Sequence, residues 1–331
     1  MALFSRYLCR ASSAISGRSQ STLSSKFTSN NTSNIFQLPD KRNLGYAFYG
    51  DPTGIPVFFF HGSPSCRLEA GDWHAAAIQK GVRMIGVDRW GMGLSTFRPE
   101  GKISDWPGDV AALANHLRLS KFHVLGGSGG GPYALACAAL LPKTMLKGTG
   151  VVAGVAPPEA GTQGMSWDRW VAFKLNIWLP HSVLKWMMNT ALGKTARDGD
   201  IAAFEKQMEK VIGTFSAEER DILNHNPGFK KDFVACFREA FRPGCDGAIL
   251  DAKLVLAPWG FNMTDVHGKV RIWNGTADVN VPVQSARWMA QRLPDATLKV
   301  YEGESHFTVP LKHDEEILAE LLEMEAWLLS T

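Results

Sequence analysis

Ser128 lies in the run Gly126-Gly127-Ser128-Gly129-Gly130, a G-x-S-x-G pattern between an apolar strand-like segment and an Ala/Leu-rich helix-like one. A serine held at a sharp strand-to-helix turn needs small neighbours, because the chain must fold back tightly around it. The free N–H groups at the helix entrance then point toward any negative charge that develops nearby. A serine hydroxyl is a weak nucleophile until a base removes its proton. His306, in Gly303-Glu304-Ser305-His306-Phe307, is the candidate base. Asp278, in Gly275-Thr276-Ala277-Asp278, is the candidate acid that orients it. Each follows an apolar strand-like run, and their chain order is Ser, Asp, His. An oxyanion site needs two backbone donors, and we assign these to Gly129 and to Ser63 in His61-Gly62-Ser63-Pro64. His61 is a rival base by residue type, but it begins this turn and reads as a structural hydrogen-bonding residue. Asp88, in the 88–95 loop, is an alternative acid.

The elements that must position these residues can be read from the apolar pattern. Runs at 35–38 and 44–49 flank the turn-like 39–43 and predict a hairpin. The wholly apolar 55–60 predicts a strand buried on both faces. A helix near 67–80 and a strand at 83–87 follow. A helix capped by Ser104 and running to about Leu119 leads to a strand at 122–125, the Ser128 turn, a helix ending near Leu141 and a strand at 146–152. Strands alternating with helices imply a mostly parallel α/β sheet covered on both faces. From 155 to 265 the pattern is helical, with one clear start signal in Ser216 and Glu219, a capping box. The alternation returns with a strand at 270–273, a helix at 283–293, a strand at 297–301 and a last amphipathic helix at 314–329. The reading divides the chain into a tail at 1–34, a core at 35–154 and 266–331, and a helical cap at 155–265.

The chain has 331 residues, 45% of them apolar and 20% charged, enough for one large domain with an insert. Its formal charge is +3, but residues 1–34 hold Arg6, Arg10, Arg18 and Lys26 and no acid. Without those four, the 35 bases fall one short of the 32 acids. The summed charge of the remainder therefore offers no basic field for nucleic acid or an anionic membrane. The Ser-rich, Arg-spaced, acid-free start has the composition of a mitochondrial presequence, a composition shared by untargeted disordered tails. No run approaches the ~18 apolar residues of a membrane span. Cys9, Cys66, Cys137, Cys236 and Cys245 are odd in number and contain no close ligand pair. They read as reduced, packed thiols of an intracellular protein. No phosphate-cradling, metal-ligating or flavin pattern is visible, so no cofactor is expected. Oligomeric state is not legible.

His61-Gly62-Ser63-Pro64, the 88–95 loop, the Ser128 turn, Asp278 and His306 together resemble the α/β-hydrolase superfamily with a helical cap. The resemblance spans about residues 35–329. It is nearest to esterase-like and proline-iminopeptidase-like members, through Gly129-Gly130-Gly131-Pro132-Tyr133-Ala134-Leu135 and Pro258-Trp259-Gly260. It implies the α/β-hydrolase fold, with a mostly parallel central sheet flanked by helices and an inserted cap. Epoxide hydrolases and haloalkane dehalogenases are similar around residues 61–64 and 88–95 but use an aspartate nucleophile, where this chain has Ser128. The expected activity is acyl transfer through a seryl ester on a small-molecule ester, thioester or lactone. Trp167, Trp170, Trp178, Trp186 and Trp259, with Phe173, Met187 and Met188, would pack the cap and partly form an apolar ceiling. An aminopeptidase would need cap acids for the substrate amine, for which Glu205 and Glu209 are candidates. A C–C bond hydrolase and a non-catalytic binding module are the other readings.

Overall fold

A computed structural model describes residues 31–324, without the side chains of Asp168, Arg169, Ala172 and Phe173. The expected presequence falls almost wholly outside the described residues, as do Cys9, the Phe173 side chain and the end of the last predicted helix.

Eight strands form one sheet: β1 (Asn34–Gln37), β2 (Asn43–Gly50), β3 (Ile55–Phe60), β4 (Val82–Val87), β5 (Phe122–Gly127), β6 (Leu146–Val152), β7 (Val270–Gly275) and β8 (Ala296–Tyr301). Their order is β1-β2-β4-β3-β5-β6-β7-β8. Only the β1–β2 and β2–β4 pairings are antiparallel; the others are parallel. The fold is thus the α/β-hydrolase fold expected. The aromatic run of β3 shows why the sheet must be covered twice. Phe58 and Phe60 enter one apolar cluster, while Val57 and Phe59 enter the other, as successive side chains on a strand point to opposite faces. Helices α2 (Trp106–His116), α3 (Gly131–Leu140) and α11 (Val283–Ala290) supply the first cover. Helices α1 (His74–Gln79) and α12 (Thr308–Glu323) supply the second.

Two helix starts differ from expectation. Ser104 lies inside a 3-10 turn, Ile103–Asp105, and the side chain that caps its start is Asp105, whose carboxylate accepts the Lys102 N–H at 3.0 Å. Helix α12 begins six residues earlier than predicted, because Pro310 sits in its first turn, where its missing N–H has no intrahelical partner to lose.

Between β6 and β7, the described residues form helices and no strand: α4 (Trp167–Trp178), α5 (His181–Met188), α6 (Lys194–Arg197), α7 (Ile201–Ile212), α8 (Ala217–His225), α9 (Pro227–Ala240) and α10 (Asp246–Val255). They have their own apolar cluster around Leu184, Phe204, Met208, Phe241 and Ile249. Ser216 opens α8 as predicted. Its hydroxyl accepts the Glu219 N–H at 3.2 Å, and Glu219 accepts the Ser216 N–H at 3.1 Å.

Candidate active site

Chain order and sheet order part company at β3. The chain runs from β3 to β4 on one side and later to β5 on the other, so the loops leaving β3 and β5 diverge and open a crevice. Phe60 and Gly126 are register partners, which places the turn at His61 beside the turn at Ser128. Ser128 itself has φ of +51°, a left-handed conformation that costs a non-glycine residue on the order of 1–3 kcal/mol. Its neighbours must be small. A Cβ on Gly126 would lie 2.4 Å from the Gly130 carbonyl, and one on Gly130 would lie 2.0 Å from that of Phe60. The Ser128 carbonyl is pinned by the Val155 N–H at 3.0 Å.

The loops after β7 and β8 bring the predicted partners to this turn. His306 Nε2 lies 3.0 Å from Ser128 Oγ, and His306 Nδ1 lies 2.8 Å from Asp278 Oδ2. Asp278 is preset. Its other oxygen accepts the N–H groups of Asn280 and Val281 at 2.9 and 2.8 Å. With the proton on Nδ1 facing Asp278, Nε2 is the acceptor that faces the serine hydroxyl. A base so placed can take the serine proton as the oxygen attacks, and can return it to a leaving group.

Gly129 packs on Ser63 closely enough that a Cβ at Gly129 would lie 2.7 Å from Ser63 Cβ and 3.3 Å from its nitrogen. The two assigned oxyanion donors are therefore neighbours. Gly129 sits within the 3-10 turn Ser128–Gly130 that runs into α3, where the first N–H groups have no intrahelical acceptor.

Neither rival candidate is free for catalysis. His61 is fully buried; its Nδ1–H donates to the Gly62 carbonyl at 2.7 Å, and its Nε2 accepts the Arg89 N–H at 3.2 Å. Burial, with the Arg89 charge second, pushes the ring well below the usual histidine range and keeps it neutral. Asp88 accepts from the Arg67 backbone and guanidinium at 2.6 and 2.9 Å and from the Leu94 N–H at 2.8 Å, so it anchors its loop.

Other residues at the site escaped the sequence reading. Glu69 accepts the Gly62 N–H on both oxygens at 3.0 and 3.1 Å. Burial raises its carboxyl above the usual range, against the opposing pull of its hydrogen bonds and of Arg89 and His306. Asp251 on α10 accepts from Ser63 Oγ, Tyr133 Oη and the Arg89 guanidinium. Arg89 and Tyr133 stand in stretches already singled out, but no motif marks Glu69 or Asp251.

The expected aromatic ceiling is corrected. Trp167, Trp178 and Trp186 are 79%, 78% and 69% exposed, and Trp170 is exposed as well, so none of these four is packed into the insert's apolar cluster. Trp259 is buried in the sheet's own core, with its indole N–H on the Val255 carbonyl. Met187 is exposed, while Met188 packs on the insert's cluster. The aromatic wall beside the site is instead phenylalanine. Phe307 follows His306, and its ring contacts Phe215, Phe229 and Phe233 of the insert at centroid distances of 6.1, 5.9 and 5.7 Å. Phe237 packs against Phe233 in a tilted arrangement, with ring centroids 4.7 Å apart. Glu209 is tied to Lys230 at 2.7 Å, and Glu205 is exposed on α7. Among the described residues no cluster of His, Cys, Asp or Glu could hold a metal ion, and no helix is long and apolar enough to cross a membrane.

The "Alpha/beta hydrolase family" model matches residues 57–321, and the chain belongs to that family. It is 25% identical over 281 residues to a 2-hydroxymuconate semialdehyde hydrolase of Pseudomonas putida, covering 82% of this chain and 86% of that one. It is also 25% identical over 299 residues to a proline iminopeptidase of Clostridium botulinum, covering 84% and 92%. Among solved structures, an esterase of Exiguobacterium antarcticum superimposes with a TM-score of 0.62 at 17% identity, over 89% of this chain and 99% of that one. The protein is a hydrolase by family.

Proposed function

We propose that this hydrolase cleaves an acyl bond (an ester, thioester or lactone) of a small apolar substrate through a seryl-enzyme intermediate. The observation that carries this is the unbroken hydrogen-bonded chain Asp278–His306–Ser128 on a serine with φ of +51°. Ser128 attacks the substrate carbonyl while His306 takes its proton. The Gly129 and Ser63 N–H groups hold the oxyanion. His306 then protonates the leaving group, and water activated by the same imidazole releases the acid. Asp278 keeps the imidazole in the required tautomer and balances its transient charge. The helices between β6 and β7 act as the cap, and the phenylalanine wall beside His306 favours apolar acyl or leaving groups. An ester reading is preferred to an aminopeptidase one because Glu209 is spent on Lys230 and Glu205 is exposed. The test is labelling with an alkyl fluorophosphonate followed by peptide mass spectrometry. The expected result is one adduct, on Ser128, that is lost in His306→Ala. A folded protein with no adduct across several probe lengths overturns the proposal in favour of a non-catalytic binding module.

A further inference from the structure

The oxyanion turn, His61-Gly62-Ser63, is gripped at nearly every polar group it offers, and the grip leads into the insert. The Arg89 guanidinium donates to the carbonyls of His61 and Gly62, the second at 2.9 Å. The other edge of the same guanidinium is paired with Asp251, Nε to Oδ1 at 2.7 Å and Nη2 to Oδ2 at 2.8 Å. Asp251 also takes the Tyr133 hydroxyl at 2.7 Å and the Ser63 hydroxyl at 2.5 Å. Asp251, Arg89 and Tyr133 are buried, whereas Ser63 is exposed. Ser63 is thus the only one of the four that reaches the crevice, and its hydroxyl is turned away from it, into the buried carboxylate.

Asp251 stands on α10, whose other residues divide between two cores. Ala248 and Ile249 pack into the insert's cluster, and Val255 packs into the sheet's. A shift of α10 would therefore be transmitted through one carboxylate to the side chain of Ser63 and, through Arg89, to two carbonyls of the turn. Four acceptor positions on one carboxylate are matched by four donor contacts, so the ion is satisfied without water.

We infer that Asp251 is a positioning residue: it clamps the Ser63 hydroxyl and the Arg89 guanidinium so that the Ser63 N–H is held where an oxyanion forms. This rests on the reaction proposed above. It assigns the insert a part in transition-state stabilisation, in addition to covering the substrate. A donor aimed at the transition state contributes to kcat more than to ground-state binding. Loosening the clamp should therefore leave KM nearly unchanged and lower the chemical rate.

The experiment uses the full chain and two variants. Ser63→Ala keeps the backbone N–H and removes only the tie to Asp251. Asp251→Asn keeps the shape and removes the charge that holds Arg89. Hydrolysis of a short p-nitrophenyl ester and the rate of fluorophosphonate capture at Ser128 are measured, with hydrogen exchange of a peptide spanning 57–66. Ser63→Ala should lower kcat and the capture rate about tenfold, with KM within about threefold, and Asp251→Asn should lower both further. Both should speed exchange in the 57–66 peptide while leaving 126–131 unchanged. Should Asp251→Asn fail to fold, Ser63→Ala alone decides. An active parent whose Ser63→Ala variant keeps kcat within twofold and exchange unaltered overturns the clamp and leaves the hydrolase reading intact. A parent that neither turns over nor labels overturns the hydrolase reading itself, and the clamp as a catalytic device with it.

Discussion

Asn280 donates its side-chain N–H to Glu219, so the loop that carries Asp278 is tied to the insert at a point two residues past the carboxylate. The Asn280 backbone N–H donates to Asp278 at 2.9 Å, so one residue links the insert to the carboxylate that faces His306. Glu219 is buried, and its second oxygen closes the capping box with Ser216.

Glu219→Gln keeps the volume and weakens both bonds. The expected loss is about 1–2 kcal/mol, since bonds to a charged acceptor weaken while neither donor is left wholly unpaired. Thermal unfolding with and without Ser216→Ala checks this. The two losses should be sub-additive, because the residues share one capping interaction. Full additivity would separate the capping role from the tie to Asn280.

Ser128→Ala and His306→Ala should each lower turnover by several orders of magnitude with circular dichroism unchanged. Asp278→Asn should cost on the order of 10⁴-fold, because the amide would favour the tautomer with its proton on Nε2, facing the serine. Steady-state hydrolysis of an activated ester is the measurement. An Asp278→Asn variant within tenfold of the parent would reassign the acid.

The three hydrogen-bonding partners were legible because each lies on a loop at the carboxyl end of a strand, and strand ends are marked by strong apolar periodicity. The β3 and β6 boundaries match the predicted 55–60 and 146–152 for the same reason. Asp251 was not legible. It lies 188 residues from Ser63 in a helix with no motif, and only the packing of α10 brings the two together. Glu69 lies seven residues after Gly62 in a segment expected to be helix, but Arg67–Trp73 is a 3-10 helix. The exposed tryptophans of the insert misled for a further reason. Apolar content indicates a surface that can be covered, and it does not say which side of a helix faces the site.

The phenylalanine wall predicts chain-length selectivity. Phe233 touches Phe215, Phe229, Phe237 and Phe307. In Phe233→Ala, KM for a hexanoyl or octanoyl ester should rise about tenfold, and that for the acetyl ester should change by less than threefold. A uniform change across the series would place the acyl chain elsewhere.

Mitochondrial import is the proposal carried by the acid-free residues 1–34. Fused to a fluorescent protein, this segment should direct it to mitochondria in cells. A diffuse cytosolic signal overturns the proposal.

His61 predicts an acid-side loss of stability that is separable from catalysis. Its ring is fully buried, and burial and the neighbouring Arg89 charge both disfavour the protonated form. The folded-state value therefore lies below the unfolded one, for which ~6.5 is the reference. Between those two values the unfolded chain binds more protons than the folded one, so stability rises with pH across that window. The contribution is fully present above about pH 6.5 and is lost as the pH falls toward the folded-state value. Glu69 and Asp88 act in the opposite sense, because burial raises both carboxyls and the folded state then gains relative stability on acidification. The histidine is isolated by difference. In His61→Gln the unfolding free energy should be lower than the parent's at pH 7.5, since the bonds to Gly62 and Arg89 are weakened. The gap between the two should narrow steadily from about pH 6.5 to 5, where the parent alone is taxed by its buried imidazole. Urea unfolding at half-unit pH steps measures it. A gap that stays constant from pH 7.5 to 5 would mean that the imidazole is protonated as readily in the folded chain as in the unfolded one. The neutral, purely structural reading of His61 would then fail.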